Sequence, residues 1–329
     1  MESHLITIGI ASYNYAAYLP RAFEAIKNQS FKDFELLYCD DGSTDDSISV
    51  IEGFIRDNPD MDIRLVKEEN KGLLENKNRI IDNACGEYIM FCDADDYMMD
   101  SCLERLAAAT AGHPDRVIGS YKEIDPDGKV VKRHPLAPYP LKWLSILHHG
   151  SIYRREPIIA NNVRFEAVPD DICFIQNFNI YCNSITGVHD YVYYWCRHDN
   201  STSDSKTSSE DWKPMRRWGK IIDGMSKVFP KLSDKKDIDG FKYFLIKCYY
   251  FHVWTAASGT GKEVGAQYAE MRDALKSMIP DYKAFSTLKI IFSVHDTTFA
   301  TCATFANYVL DKLGLLKPLL KIKAFVSSR

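Results

Sequence analysis

Three closely spaced carboxylates, Asp93, Asp95 and Asp96, follow directly after a short apolar segment at 88–91. A short apolar run of this kind is typical of a buried strand, so the acids stand where that strand leaves its sheet. Alternate residues of an extended chain face the same way, which lets Asp93 and Asp95 converge on one ion. Mg²⁺ and Mn²⁺ prefer carboxylate oxygens. A helix-capping role for Asp96 or Asp100 would account for only one of the three acids, so the spacing favours a divalent metal site.

A second acidic stretch, residues 40–45, follows another apolar segment at 34–38. Its sequence, Asp-Asp-Gly-Ser-Thr-Asp, is also compatible with a turn that ends in a helix N-cap. In an open α/β sheet, ligands bind at the carboxyl ends of the strands. An acid there can accept hydrogen bonds from a base imide or a ribose hydroxyl. Two acidic strand ends in one small domain indicate a site for a metal and a phosphorylated ligand.

Strands and helices alternate through the first third of the chain. Apolar periodicity predicts strands at 5–10, 34–39, 63–66 and 88–91, and helices at 15–29, 47–56, 73–84 and 101–111. This alternation is typical of βαβ units, and it predicts an α/β fold with a mostly parallel sheet flanked by helices.

The second half of the chain has weaker patterns. A turn sequence at 125–128 predicts a hairpin between 116–124 and 129–133, followed by a helix near 171–181 and a strand at 191–195. The Ser/Thr/Asp-rich stretch 200–210 predicts a mobile loop or a boundary, and the chain beyond it has helical spacing. We therefore expect one domain at 1–200, with halves 1–110 and 111–200, and a helical C-terminal region at 201–329.

Charge is divided unevenly along the 329 residues. Residues 1–200 contain 20 Lys+Arg against 32 Asp+Glu, whereas residues 201–329 contain 21 against 13, so net charges of −12 and +8 combine to the overall −4. The acidic front half disfavours nucleic acid as a partner, unless a divalent ion supplies positive charge. The stretch 312–329 has five basic residues and no acid, which fits an anionic membrane surface.

Cysteine usage and the N-terminus point to a cytosolic protein. The nine cysteines include no C-x-x-C pair, so they indicate reduced thiols rather than a disulfide framework or a zinc site. No signal peptide is visible, and no segment approaches the ~18 uninterrupted apolar residues of a membrane span. We expect a cytoplasmic location, with the inner face of the plasma membrane as an option because of the basic tail.

A series of short motifs resembles family 2 glycosyltransferases, inverting enzymes with the GT-A fold. In chain order the motifs are Ala11-Ser12-Tyr13-Asn14, Asn28-Gln29-Ser30, Phe34-Glu35, Asp40-Asp41-Gly42-Ser43-Thr44-Asp45, Asn70-Lys71-Gly72, Asn78, Gly86-Glu87-Tyr88-Ile89 and Asp93-Ala94-Asp95-Asp96. The resemblance is close over residues ~5–110 and looser over ~110–200. It implies that 1–110 binds a nucleotide sugar and that 111–200 forms the acceptor half.

The resemblance also implies roles for particular residues on the donor side. The loop Ala11, Ser12, Tyr13 and Asn14 would lie along the nucleotide, and Asp41 would accept a hydrogen bond from uracil. Asp93 and Asp95 would serve ribose and a Mn²⁺ or Mg²⁺ ion, with Asp95 the more direct ligand. Gly72 and Lys77 would complete the donor site. The family usually has Arg where this chain has Lys77, and Lys keeps the charge without the planar fork.

The general base is assigned to the second half of the chain. The family has a Glu-Asp pair at the start of a helix there, and its Asp takes the acceptor proton. This chain has Asp170-Asp171 in that context, so Asp171 is the expected base, with Asp170 and Glu166 as alternatives. Pro-Asp-Asp before an apolar helix is also an ordinary N-cap pair.

Downstream, residues 194–201 resemble the family's Tyr-x-Arg…Ser segment. Arg197 would stabilise charge on the leaving phosphate, and His198 would complete the metal shell, although a solvated His beside a loop is the commoner case. His148 and His149 could also be linked to the metal, but adjacent residues of a strand face oppositely, so they are interpreted as structural or acceptor-side residues.

Leu and Lys alternate irregularly in the tail at 310–323, where Pro318 is expected to break a long helix. This tail fits a membrane interface, a contact with the catalytic domain or a second subunit equally well.

The function expected from these patterns is metal-dependent transfer of a hexosyl or N-acetylhexosaminyl group. The donor would be a nucleotide sugar, with a UDP-sugar the first choice, and the acceptor a glycan or a lipid-linked glycan of a polysaccharide pathway. Two alternatives stay open. One is a non-catalytic sugar-nucleotide-binding or scaffold module. The other is a sugar nucleotidyltransferase, which would need a Gly-rich basic phosphate loop that 10–17 lacks.

Overall fold

The apolar segments of the front half become neighbouring strands of a single sheet in the computed structural model, which describes residues 4–136, 142–167, 170–198, 214–257, 264–282, 285–294 and 296–327. The nine strands are β1 Ile6–Ser12, β2 Phe34–Asp40, β3 Ile63–Lys67, β4 Tyr88–Asp93, β5 Tyr97–Met98, β6 Arg116–Ile124, β7 Val130–His134, β8 Ser151–Arg154 and β9 Ile185–Cys196. The helices among the described residues are α1 Leu19–Lys27, α2 Ser47–Asp57, α3 Leu73–Asn83, α4 Cys102–Ala108, α5 Arg155–Ala160, α6 Asp170–Tyr181, α7 Pro214–Val228, α8 Lys235–Ala256, α9 Val264–Met278, α10 Phe285–Ser293, α11 Thr298–Lys312 and α12 Leu316–Ser327.

The sheet order is β3-β2-β1-β4-β8-β6-β9-β5, with β7 paired to β6. The front half β3-β2-β1-β4 is parallel throughout, and β6 and β9 are also parallel, whereas β4–β8, β6–β8 and β5–β9 are antiparallel. In the register, Ala11 of β1 pairs with Asp93 of β4, and Ser12 of β1 pairs with Asp40 of β2. Both acidic strand ends therefore meet at the carboxyl end of β1, as the sequence predicted.

Burial on both faces explains why the parallel strands are continuous apolar runs. Every residue of β2 is buried, and so are Ile6, Ile8 and Ile10 of β1. Helix α3 lies close against the sheet, because a Cβ on Gly9 would be 2.2 Å from Cγ2 of Ile80. Such close approach of a helix to a strand permits only glycine at position 9.

The predicted α/β architecture is confirmed, with small differences at element ends in the front half. Beyond it, β5, β8 and α5 were not predicted, and β9 begins at Ile185 rather than at 191. The hairpin of β6 and β7 forms around the turn at 125–128. The first helix begins at Leu19 rather than near residue 15, with Pro20 in its first turn, where a missing N–H costs nothing. Helix α4 has no side-chain N-cap hydrogen bond, so neither Asp96 nor Asp100 caps it. The predicted loop at 200–210 lies outside the described residues.

The chain divides into two compact units. One contains residues 1–140 and 146–199 and is called here the sheet unit; the other contains residues 141–145 and 200–329 and is called the helical unit. In the helical unit, the short segment after residue 141 is fixed to α8, because Lys142 Nζ and Trp143 Nε1 both donate to Asp237, at 2.9 and 3.1 Å. No helix in the described part of the chain is both long and apolar enough to cross a membrane.

The tail is not one long helix, as expected, but the interruption lies at 313–315 rather than at Pro318, because α11 already ends at Lys312. Gly314, at φ 75°, donates its N–H to the Asp311 carbonyl (3.1 Å), and the Leu315 N–H bonds to the Leu310 carbonyl (2.8 Å). This hydrogen-bond pair is a Schellman C-cap, for which a left-handed glycine is favoured. Pro318 instead lies in the first turn of α12, where helices tolerate proline.

Candidate active site

The loop after β1 and the loop after β2 hold each other in place. Asn14 adopts a left-handed conformation (φ 61°), which Asn tolerates better than most residues. Its side-chain oxygen accepts hydrogen bonds from the backbone N–H of Thr44 (2.8 Å) and Asp45 (3.2 Å), and its own N–H donates to Ser43 Oγ (2.9 Å). Tyr13, beside it, is exposed. The predicted nucleotide loop is therefore a fixed surface at the carboxyl edge of the sheet.

Asp41, directly after the end of β2, is almost fully buried. Its carboxylate accepts hydrogen bonds from the backbone N–H of Lys71 (2.9 Å) and Gly72 (2.8 Å) and from Arg79 Nη1 (2.9 Å). Its own N–H donates to the carbonyl of Ser12 (2.9 Å). A carboxylate offers about four lone-pair positions, so three of these are already used to fix the loop before α3.

Gly72 begins α3 with φ 90° and ψ 165°, a conformation that is essentially restricted to glycine. A Cβ at this position would have no heavy atom within 4 Å, so the backbone angle rather than crowding explains the glycine. Because its N–H is held by Asp41, the start of α3 has a fixed position beside the site.

Lys77 connects the acid at the end of β4 to the two acids at the start of α6. Its ammonium lies 3.7 Å from Asp93 Oδ1, 2.6 Å from Asp170 Oδ2 and 3.3 Å from Asp171 Oδ1, and the side chain is buried. These acids come from two elements, since Asp93 ends β4 and the aspartate pair opens α6. The ion pairs bring the predicted base and the predicted Asp-x-Asp element to one place.

His148 stands behind Asp171. Its Nε2 is 3.3 Å from Asp171 Oδ1, and its Nδ1 is 3.0 Å from the hydroxyl of Tyr153. Burial lowers the pKa of His148 well below its ordinary value, and the nearby Lys77 ammonium lowers it further, so the ring is neutral at neutral pH. The neutral imidazole therefore lies beside the Asp171 carboxylate without adding charge, and its Nε2 makes no hydrogen bond among the described residues.

Asp95 and His198 form a second contact in the site. His198 Nε2 lies 2.7 Å from Asp95 Oδ2, and the His198 ring packs against Tyr18 with ring centroids 4.7 Å apart. Burial raises the pKa of Asp95, and repulsion from Asp93 raises it further. A carboxylate in this position is stabilised by any cation that lies near it.

Asp93, Asp96 and His149 form a further group, whose ligand atoms lie within 4.8 Å of one another. Asp96 is buried, its Oδ1 accepts the N–H of Cys196 (2.7 Å), and its Oδ2 has no hydrogen-bond partner among the described residues. Burial, together with repulsion from Asp95 and Asp93, raises the pKa of Asp96 well above its ordinary value. His149 stacks on Trp195, with ring centroids 5.0 Å apart.

Charge balance in the site depends on Lys77. Burial alone would raise the pKa of Asp93, but the Lys77 ammonium, assisted by His149, lowers it below the ordinary value. Conversely, Asp170, Asp171 and Asp93 raise the pKa of Lys77 against the effect of burial. The lysine is therefore charged at neutral pH, and Asp93 is ionised beside it.

Two predicted residues lie away from this cluster. Arg197 pairs with Glu123, with Nε 3.0 Å from Oε1, and its guanidinium lies 4.8 Å from the centroid of the Trp195 ring. Glu166, an alternative base, is exposed. The structure thus brings together Asp93, Lys77 and Asp171, whereas Arg197 and Glu166 have other surroundings.

Sequence reasoning missed the positions of the two adjacent histidines. They lie in the turn before β8 rather than on a strand, since the Ser151 N–H donates to the His148 carbonyl (2.8 Å). His148 contacts Asp171, and His149 approaches Asp93 and Asp96. No local pattern could show this, because each contact spans 23 residues or more of chain. Two adjacent histidines before an apolar strand were the single available signal.

The fold and the acidic edge of the sheet define a nucleotide-sugar transferase architecture of the GT-A type. A crystal structure of S. aureus TarS 1-349 in complex with UDP-GlcNAc superposes with a TM-score of 0.61 at 18% identity, covering 84% of this chain and 91% of that one. The mannosyltransferase PcManGT from Pyrobaculum calidifontis, in complex with GDP-Man and Mn²⁺, superposes with a TM-score of 0.58 at 14% identity, covering 99% and 87%. At sequence identities this low, the structural similarity establishes that the chains share a fold and nothing further.

Sequence comparison then gives the family. Residues 7–176, more than half of the chain, match the model of Glycosyl transferase family 2, and the chain therefore belongs to this family. It is 26% identical over 220 residues to EpsH of Bacillus subtilis, and this match covers 61% of this chain and 63% of that protein. It is 33% identical over 101 residues, 31% of this chain, to the Campylobacter jejuni GalNAc(5)-diNAcBac-PP-undecaprenol beta-1,3-glucosyltransferase. That match spans 33% of the relative's length, so the chain aligns with less than two thirds of either relative.

Proposed function

We propose that the chain is a metal-dependent inverting glycosyltransferase, with a UDP-sugar as donor and a hydroxyl of a glycan or lipid-linked glycan as acceptor. The observation that supports this most directly is the Lys77 cluster. One ammonium lies within 3.7 Å of Asp93 on the donor side and within 3.3 Å of Asp171 on the acceptor side. The acid proposed to act on the donor and the acid proposed to act on the acceptor thus meet at one ammonium, which would place the two substrates side by side.

The proposed reaction assigns the proton to Asp171. The acceptor hydroxyl loses its proton to the Asp171 carboxylate, its oxygen bonds to the anomeric carbon, and the bond from that carbon to the diphosphate breaks with the electron pair leaving on phosphate. General-base assistance of this kind is typically worth ~10²–10⁴-fold. The Lys77 ammonium, 3.3 Å from Asp171 Oδ1, would hold that carboxylate in place, with the His148 ring packed beside it.

Carboxylates with an imidazole suit Mn²⁺ or Mg²⁺ bound beside a phosphate, so the residues fit the expected ion. Asp95 and His198 would be its protein ligands, with Asp93 next to them, and the bound ion would neutralise charge on the departing diphosphate. The raised pKa of Asp95 supports this assignment, because its carboxylate lacks a compensating cation of the kind that Lys77 gives Asp93. Asp96 and His149 are the alternative ligand pair.

Donor binding would use the fixed edge formed by Ala11, Asn14 and Gly72. Asp41 would accept a hydrogen bond from uracil at its remaining acceptor position, the other three being used by Lys71, Gly72 and Arg79. The compared structures were solved with UDP-GlcNAc and with GDP-Man, and the C. jejuni relative's name includes an undecaprenol-linked acceptor. These support a hexosyl or N-acetylhexosaminyl donor and a lipid-linked glycan acceptor. A cytoplasmic location at the inner face of the plasma membrane is part of the same proposal.

The test is calorimetry of the full chain with a panel of UDP- and GDP-sugars, in Mn²⁺ and in EDTA, followed by assay of nucleotide release. We expect one UDP-sugar to bind with Mn²⁺ and to lose at least tenfold in affinity with EDTA. Asp95→Asn should produce the same loss, whereas Asp100→Asn, an exposed acid with the same charge change, should not. His149→Gln separates the two ligand pairs, because it weakens the Mn²⁺ dependence only if Asp96 and His149 hold the ion.

Two results would overturn the proposal. Failure of every nucleotide sugar to bind in Mn²⁺ rejects the donor, and binding that EDTA leaves unchanged rejects the metal. Binding without transfer to any acceptor, equal in wild type and Asp171→Asn, would instead favour the non-catalytic binding module.

A further inference from the structure

The last three helices of the chain expose apolar side chains in unusual number. Fourteen large apolar residues in the described part of the chain are exposed, and nine of them lie between residues 292 and 326. Single exposed apolar residues are normal on a soluble protein, but a contiguous group indicates an interaction surface. These nine residues are called the outer apolar surface here: Phe292, Phe299, Phe305, Leu313, Leu315, Leu319, Ile322, Phe325 and Val326.

Helix α12 is apolar on two opposite sides. Leu316, Leu320 and Ala324, spaced by four residues, are fully buried and fix the helix to its unit. At 100° per residue, Phe325, Ile322, Val326 and Leu319 occupy a stripe about 120° wide on the opposite side. Ile322 is 59% exposed and Phe325 56% exposed. A helix that needed only to pack on its own unit would have polar residues there.

Helix α11 continues the outer apolar surface. Phe299, Cys302, Phe305 and Leu313 lie on one side of this helix, and Phe299 is 85% exposed. Phe292 of α10 contacts Phe305, with ring centroids 5.2 Å apart, so the exposed apolar residues of α10 and α11 are in contact. The opposite side of α11 is buried at Tyr308 and Asp311.

The charges beside the surface are positive. Lys317 and Lys321 are exposed and border one edge of the α12 stripe, while Lys323, on the other edge, donates to the Trp254 carbonyl at 2.7 Å. The stretch 312–329 has five basic residues and no acid. An apolar stripe bordered by lysines matches the acyl and headgroup layers of an anionic bilayer, in which lysine stems lie along apolar surface and their ammonium groups reach phosphate.

We propose that the outer apolar surface binds the interface of an anionic phospholipid membrane, with α12 lying in the plane of the interface. A second copy of the chain is the competing occupant. The charge favours lipid, because a two-fold contact would place the Lys317 and Lys321 edges of two α12 helices in one interface with no acid in 312–329 to offset them.

The experiment is flotation of the full chain with vesicles of phosphatidylcholine and with vesicles that also contain phosphatidylglycerol. Wild type should float with the second kind and only weakly with the first. Ile322→Gln with Phe325→Gln should lower the vesicle partition coefficient at least about tenfold, since both exposed side chains lose their transfer into the acyl layer. Lys317→Gln with Lys321→Gln should lower it about 10–30-fold on anionic vesicles and hardly at all on neutral ones.

Matched control variants separate a specific loss of vesicle binding from general effects of substitution. Val131→Gln with Ile159→Gln removes two exposed apolar residues of the sheet unit, and Lys235→Gln with Lys236→Gln removes two exposed lysines at the start of α8. Both pairs should float like wild type. A polarity-sensitive fluorophore on Cys302, the exposed one of the nine cysteines, should shift to the blue on anionic vesicles.

Absence of flotation with anionic vesicles would overturn the proposal, as would an equal loss in the control pairs. Sedimentation as a dimer that the Ile322→Gln and Phe325→Gln pair dissociates, without vesicle binding, would assign the surface to a second copy. None of these measurements uses a nucleotide sugar, so the outcome is independent of the proposed activity.

Discussion

The two units of this chain surround their acidic side chains differently. In the sheet unit, Asp93 and Asp171 share one lysine ammonium, and the Asp93 side chain is 41% exposed. In the helical unit, Asp311 is fully buried and accepts hydrogen bonds from the hydroxyls of Tyr268 and Tyr282, the latter at 2.6 Å. An ionised acid that solvent and ligands can reach is suited to chemistry, whereas one enclosed by phenols is suited to holding helices together.

The two units also differ in how many large apolar side chains they expose, and here the helical unit exposes more. The sheet unit exposes four large apolar residues, which are far apart in sequence, among its described residues. The helical unit exposes ten among its own, and nine of those form the outer apolar surface. We infer that the sheet unit acts through a polar site and that the helical unit acts through its exterior.

The largest expected effect tests the acid in the sheet unit. Asp171→Asn should lower the transfer rate by about 10²–10⁴-fold with donor affinity unchanged, because the amide cannot take the acceptor proton. Asp170→Asn is the matched variant: its carboxylate is the one nearer to Lys77 (2.6 Å against 3.3 Å), so we expect a smaller loss of rate. Single-turnover kinetics with the nucleotide sugar that binds in calorimetry would measure both. A larger loss in Asp170→Asn would move the base to that residue.

A smaller effect tests the acid in the helical unit. Asp311→Ala should lower the free energy of unfolding by about 4 kcal/mol, because the buried hydroxyls of Tyr268 and Tyr282 lose their charged acceptor. Asp273→Ala, an exposed acid of α9, should change it by no more than about 0.5 kcal/mol. Urea unfolding followed by circular dichroism gives both values. Equal, small changes in the two variants would remove the structural role assigned to Asp311.

The smallest expected effect is a pH dependence of stability that arises from His252 in the helical unit. Burial lowers the pKa of His252 from 6.5 to about 4, so the unfolded chain binds a proton between these values that the folded chain does not. The contribution of His252 to the free energy of unfolding is therefore fully present above pH 6.5 and is lost as the pH falls toward 4. The expected loss is about 2 kcal/mol between pH 7 and pH 4.5. The test is urea unfolding of wild type and His252→Leu at several pH values, in which the variant should show the shallower dependence. Parallel curves would mean that His252 protonates equally in both states.

Local patterns predicted much of the front half of the sheet unit. Strands β1 to β4 and the helices between them lie within a few residues of their predicted positions, because periodicity reports directly which side chains face the core. The chain positions of Asp93 and of the Asp41 loop, at the ends of strands, followed from the same patterns. The order of the motifs predicted the family, which the match over residues 7–176 confirms.

What the sequence determined by itself is the succession of strands and helices, the place of the acids at strand ends, and the charge difference between the two halves. Each of these depends on residues that are close together in the chain. The tertiary structure alone decided the contacts of Lys77 with Asp170 and Asp171, 93 and 94 residues away, and the divergence of His148 and His149 toward different acids. It also decided which apolar side of α12 is buried and which is exposed, because that choice depends on the elements packed around the helix and not on its own period.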